Sequence, residues 1–125
     1  MKHQNIVILG ASENPDRYSY KAFQMLKQSG YAVIPVSPKL KELEGSLVAG
    51  SLKEIKEPVD TLTMYVSPEK SSQMTEEILS LKPRRVIFNP GSENPELREK
   101  LQKDGVRVIE ACTLVLLRTH QFEQA

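Results

Sequence analysis

The stretch that decides the fold is Asn5-Ile6-Val7-Ile8-Leu9-Gly10-Ala11-Ser12-Glu13-Asn14-Pro15. Ile6 to Leu9 form an unbroken aliphatic run, too short for a helix and of the length expected for a strand covered on both faces. The run ends at a glycine followed by small and turn-forming residues. A helical pattern then spans Tyr20 to Ser29, with Ala22, Phe23, Met25 and Leu26 on one face and Gly30 as the stop. Strand, small-residue loop and helix together are the first half of a βαβ unit.

Working outward, four more apolar runs occur at Ala32–Val36, Thr61–Val66, Val86–Asn89 and Val106–Glu110. Helical segments separate the later ones. Ser67 is an N-cap with Pro68 at the first helical position, and Met74, Ile78 and Leu81 follow at i, i+4 and i+7. Asn94-Pro95-Glu96 opens another helix that buries Leu97 and Leu101 and stops at Gly105. A last helix starts near Thr113, is almost wholly apolar through Leu117, and is expected to be buried. The alternation predicts a single α/β domain over residues 1–125: a Rossmann-like, five-stranded, mostly parallel sheet with helices on both faces. Pro35 fits poorly, because a proline inside a strand cannot donate to the ladder and belongs at a strand end or beside a bulge.

The 125 residues are 39% hydrophobic and 26% charged, ordinary for a globular domain. A net charge of +1 and dispersed cations, the densest group being Lys82, Arg84 and Arg85, argue against a nucleic-acid partner. No apolar run approaches the length of a signal peptide or membrane span. The lone Cys112 has no internal disulfide partner. Both observations lead to the expectation of a cytoplasmic protein without a membrane partner. No Cys or His pair has metal-ligand spacing, and Glu76-Glu77 reads as a solvated helical surface.

Parallel sheets bind ligands beyond the carboxyl ends of their strands, so the loops there are the candidate site. In the first loop Gly10 permits a sharp turn, and Ser12 with the following amides suits a pyrophosphate. Arg17 is the nearest cation and Tyr18 a wall for a flat or aliphatic group. The loop departs from the dinucleotide fingerprint G-x-G-x-x-G at Ser12. After the second strand, where NAD-binding domains place an acidic residue, stands Val36-Ser37-Pro38-Lys39. Serine and lysine there suit a phosphate on the ribose, as in NADP or coenzyme A. The third loop is Tyr65-Val66-Ser67-Pro68, and the fourth, Asn89-Pro90-Gly91-Ser92, carries a type II turn signal. The fifth places Cys112 before the last helix, where a thiol is either a buried, inert side chain or an activated one. His3 and His120 are the only imidazoles, and neither is placed beside it by the sequence.

Gly10-Ala11-Ser12 with Asn14-Pro15 and Arg17-Tyr18, Gly30-Tyr31, Val36-Ser37-Pro38-Lys39, Val66-Ser67-Pro68, Asn89-Pro90-Gly91 and Glu110-Ala111-Cys112-Thr113, in this order and spacing, resemble the small stand-alone CoA-binding proteins. These are similar to the N-terminal CoA-binding domain of the succinyl-CoA synthetase α-subunit. The resemblance runs from about Ile6 to Leu117 and implies coenzyme A or an acyl-CoA as ligand. It implies a pyrophosphate on Gly10, Ala11 and Ser12, and phosphate charge met by Arg17 and Lys39. Ser37 and Pro38 would lie beside the adenosine, and Val66, Ser67 and Pro68 beside the adenine or ribose. Pro90, Gly91 and Cys112 would lie nearer the pantetheine. Ser19, Ser37 and Glu110-Ala111-Cys112-Thr113 depart from patterns frequent among such relatives. No counterpart of the synthetase's second domain, with its ligase chemistry, is expected. The expectation is a non-catalytic binding or regulatory module, with a homodimer or another protein as an added partner. The alternatives are an NADP-binding reductase-like domain and a thiol-based regulator using Cys112.

Overall fold

The computed structural model describes residues 4–125; His3 lies outside them. The strands are β1 (Asn5–Leu9), β2 (Ala32–Val36), β3 (Glu42–Leu43), β4 (Ser46–Leu47), β5 (Thr61–Met64), β6 (Arg85–Phe88) and β7 (Arg107–Glu110). The helices are α1 (Tyr18–Gln28), α2 (Pro68–Gln73), α3 (Thr75–Leu81), α4 (Pro95–Lys103) and α5 (Thr113–Arg118). Five strands form one sheet in the order β2-β1-β5-β6-β7, and every neighbouring pair is parallel.

The aliphatic run in β1 is continuous because both of its faces are covered. Ile6 and Ile8 pack with Phe23 and Leu26 of α1 and Leu116 of α5. Val7 and Leu9 point the other way, toward Ile78 of α3 and Leu97 and Leu101 of α4. These β1 side chains are almost completely shielded from solvent, and burying each contributes about 1.5–3 kcal/mol. Chain order reverses between β1 and β5: the chain leaves β1 for β2 on one side, then returns to build β5, β6 and β7 on the other. Crevices form at such switch points because the loops leaving the two strands diverge toward opposite faces.

Pro35 is accommodated by position. β2 is an edge strand, and the Pro35 carbonyl faces outward to accept the Ala49 amide at 3.0 Å. A residue's N–H and C=O leave a strand on the same side, so the donor Pro35 lacks would have faced that outer edge. The β3–β4 hairpin, absent from the sequence reading, lies outside β2 in the chain segment that leads to Ala49. Its two-residue strands carry polar Glu42 and Ser46, too short a pattern to register as alternation.

Two further expectations are corrected. The segment after Ser67 is two helices, not one. The Thr75 hydroxyl donates to the Ser72 carbonyl at 2.9 Å, and Met74 sits between the helices with φ −107° and ψ 12°. A side-chain donor competing for a helical carbonyl is a recognised cause of such breaks. The last helix is not wholly buried: Leu114 and Leu116 face the core while Val115 is 51% exposed. No helix among the described residues is long and apolar enough to cross a membrane.

Candidate functional site

The loops leaving β1, β2 and β5 enclose a cleft of about 750 Å³ at the carboxyl edge of the sheet. A second hollow of about 420 Å³ adjoins it toward the loop after β6, and the two share Gly10, Arg17, Tyr65, Val66 and Ser67. They form one groove across the β1/β5 switch point.

Gly10 fixes the centre of this groove. Its φ is +94°, and a Cβ there would stand 3.1 Å from the Tyr65 carbonyl carbon and oxygen and from Val66 Cγ1. Both conformation and space therefore require glycine, and the close approach brings the β1 and β5 loops together. The Gly10 and Ala11 amides both donate to the Val36 carbonyl, at 3.1 and 3.0 Å, which ties in the β2 loop as well.

Each of these three loops presents a serine in the same hydrogen-bonding state. Ser12 Oγ accepts the Asn14 amide at 3.0 Å, Ser37 Oγ the Lys39 amide at 3.2 Å, and Ser67 Oγ the Lys70 amide at 3.4 Å. Each oxygen is oriented as an acceptor, and none of the three hydroxyls donates to a protein acceptor among the described residues. All three line the larger cleft together with Arg17, Lys39 and Lys70, none of which has a carboxylate partner among the described residues. The cleft's own carboxylate, Glu77, pairs with Lys53 at 3.9 Å. Oriented hydroxyl donors and uncommitted cations make a surface suited to phosphate oxygens.

The far end is held by Asn89, whose side chain is buried. Its Nδ2 donates to Thr63 Oγ1 at 2.7 Å and to the Met64 carbonyl at 2.9 Å, and its Oδ1 accepts the Thr113 amide at 2.8 Å. One amide thus staples β5, β6 and the start of α5, and the Pro90-Gly91 turn projects from it with Gly91 at φ +93°. Beside this network lies the Tyr65 hydroxyl, buried near Thr63 and Thr113 without a hydrogen bond of good geometry to either. Burial pushes the phenol up to about 12.

Most of the residues singled out from the sequence come together here. Gly10, Ala11, Ser12, Arg17, Ser37, Pro38, Lys39, Val66 and Ser67 line the larger cleft, while Tyr18, Pro90 and Gly91 line the smaller. Asn14, Pro68 and Cys112 line neither. Asn14 shapes the first loop, its Oδ1 accepting the Asp16 amide at 3.0 Å. Pro68 starts α2, and its carbonyl accepts from Ser71 and Asn94. Cys112 is half-buried at the start of α5. His120 follows the other end of that helix, roughly 12 Å along its axis at 1.5 Å per residue, so the two do not form a nucleophile–base pair. Lys70, Gln73 and Met74 of the cleft wall, and Gly50 and Ser51, were missed. Gln73 and Met74 reach the site because the chain breaks between α2 and α3, which no sequence period announces.

A family model for a CoA binding domain matches residues 4–118. The chain belongs to this CoA-binding family. Among its relatives is the uncharacterized protein YneT of Bacillus subtilis, 31% identical over 108 residues, which cover 86% of this chain and 80% of that protein. Another is the α-subunit of the ADP-forming acetate–CoA ligase II of Pyrococcus furiosus, 31% identical over 94% of this chain. The match spans only 28% of that subunit, so this member of the family corresponds to one part of the longer enzyme chain. The crystal structure of an uncharacterized protein superposes with a TM-score of 0.90 at 42% identity, covering 96% of this chain and 98% of that one. The Rossmann-like architecture expected from the sequence is the family's architecture.

Proposed function

We propose that this protein binds coenzyme A or an acyl-CoA in the groove across the β1/β5 switch point and acts as a binding or regulatory module. The observation that carries the reading is the set of three oriented serines and three uncommitted cations around one cleft, in a chain of the CoA-binding family. Ser12, with Arg17 at the junction of the two hollows, holds the pyrophosphate, while Gly10 and Ala11, their amides bound to the Val36 carbonyl, form the floor beneath it. Ser37, Pro38 and Lys39 meet the phosphorylated adenosine at the larger hollow. Tyr18, Pro90 and Gly91 flank the pantetheine in the smaller one, whose open mouth leaves room for an acyl group.

Calorimetric titration with CoA, acetyl-CoA, dephospho-CoA and NADPH is expected to give binding of the first two and weaker binding of dephospho-CoA. Heat with NADPH and none with CoA would replace the CoA reading by the reductase-like alternative. Lys39→Ala is expected to weaken CoA about tenfold, as loss of one charge-assisted phosphate contact does, and to leave dephospho-CoA nearly unchanged.

A further inference from the structure

We propose that Lys70 is a specificity-determining residue of this cleft, acting with Lys39 on the phosphate carried by the ribose of the ligand; this rests on the CoA reading above. Around the cleft the fold assembles a repetition that the sequence does not display. After β1 the chain supplies Ser12 and Arg17, after β2 Ser37 and Lys39, and after β5 Ser67 and Lys70. In each case the serine oxygen accepts a backbone amide, of Asn14, Lys39 and Lys70 respectively, which leaves its hydroxyl hydrogen to be donated. In each case the cation borders the cleft and has no carboxylate partner among the described residues; Lys21, Lys41, Lys56, Lys82 and Arg118 likewise have none, but none of them lines the cleft. Three loops therefore offer three like stations around one cleft.

The two hollows separate the roles of the cations. Arg17 borders both, as a residue serving the central pyrophosphate should, whereas Lys39 and Lys70 border only the larger one, from opposite walls contributed by the β2 and β5 loops. A phosphomonoester carries about −1.5 to −2 charges near neutral pH, more than either pyrophosphate phosphoryl group, and so calls for two cations. Glu77, in the same wall, would oppose an anion, but its charge is shared with Lys53 at 3.9 Å. Lys70 is exposed, and its ammonium has no hydrogen bond or ion pair among the described residues.

The test is a calorimetric comparison of the wild type, Lys70→Ala and Lys70→Arg with CoA and dephospho-CoA, with thermal melts of the free proteins as the control for folding. Lys70→Ala is expected to lose about tenfold in CoA affinity and less than about twofold in dephospho-CoA affinity, and Lys70→Arg to restore most of the loss. An unchanged CoA affinity in Lys70→Ala would overturn the assignment, as would equal losses for the two ligands, which would move Lys70 to the pyrophosphate. Both outcomes leave the CoA reading standing, since the wild type still binds. Failure of the wild type to bind CoA removes that reading and this inference together.

Discussion

At the amino edge of the sheet, Asp60, Arg84 and Arg85 are engaged with each other or with the fold; in the cleft at the carboxyl edge, Arg17, Lys39 and Lys70 have no carboxylate partner among the described residues. Arg85 opens β6 with its guanidinium almost wholly buried, donating to Thr61 Oγ1 at 3.0 Å and to the carbonyls of Phe122 and Ala125. It also lies 4.5 Å from the centre of the Phe122 ring. Burial pulls it below the usual arginine range, against the attraction of Asp60. Asp60 in turn receives Arg84 Nε at 2.7 Å, and Tyr31 donates to Glu123 at 2.6 Å. Across the sheet, some five residues away along each strand, Arg17, Lys39 and Lys70 make no such contacts. The difference teaches that polar residues alone do not mark a site. What marks it is a concave surface whose polar groups are oriented yet unspent, because paired charges have already exchanged their hydration for each other.

The sharpest way to break this contrast is to empty the amino edge. Arg85→Ala would leave two backbone carbonyls and Thr61 without their donor and is expected to cost about 3–5 kcal/mol in urea unfolding, the range for removing one member of a buried charged network. CoA affinity of the folded fraction is expected to be unchanged. A parallel loss of affinity would show that the two edges are coupled and that the division drawn here is wrong. Gly10→Ala probes the opposite edge, where positive φ and the Tyr65 carbonyl resist a Cβ. It is expected to cost about 1–2 kcal/mol and, unlike Arg85→Ala, to reduce CoA binding at least tenfold.

Acid sharpens the comparison further. Burial alone would raise the Asp60 carboxyl, but hydrogen bonds from Arg84 and Thr61 hold it below the usual carboxylate value of 3.8. A depressed carboxyl contributes stability that is present above the unfolded value and lost as pH falls through the lower folded one. The melting temperature should therefore drop below about pH 4, and Asp60→Asn should remove this part of the slope at a cost of about 1–3 kcal/mol at neutral pH. The smallest effect is expected at Tyr65→Phe. Its hydroxyl is buried without a partner, so deleting it should leave urea stability within about 1 kcal/mol of the wild type or raise it, while the intact ring keeps the groove wall. A loss well beyond that would reveal a hydrogen bond that the free structure does not contain.

The candidate site was legible in proportion to how local its residues' constraints are. Gly10 and Ser12 could be read because a strand followed by a glycine loop has a geometric meaning within a few residues. Lys39 stood out because an acidic residue was expected in its place. Lys70 and Gln73 carry no local signal that sets them apart in the sequence, and Met74, expected within one continuous helix, stands at the break between α2 and α3. Arg85 shows the converse failure. In the sequence it belonged to the densest cationic group of the chain, whereas in the fold it is a buried structural anchor.

By itself the sequence determined the parallel α/β sheet and its five main strands. Those follow from apolar runs of strand length and from turn and cap residues, whose energetics are settled among near neighbours. The tertiary structure alone decided which cations are spent and which are free, that Pro35 is harmless on an outer edge, and that Cys112 and His120 stand at opposite ends of α5. Pairing of charges across dozens of residues depends on how loops from separate strands converge, and no spacing along the chain encodes that convergence.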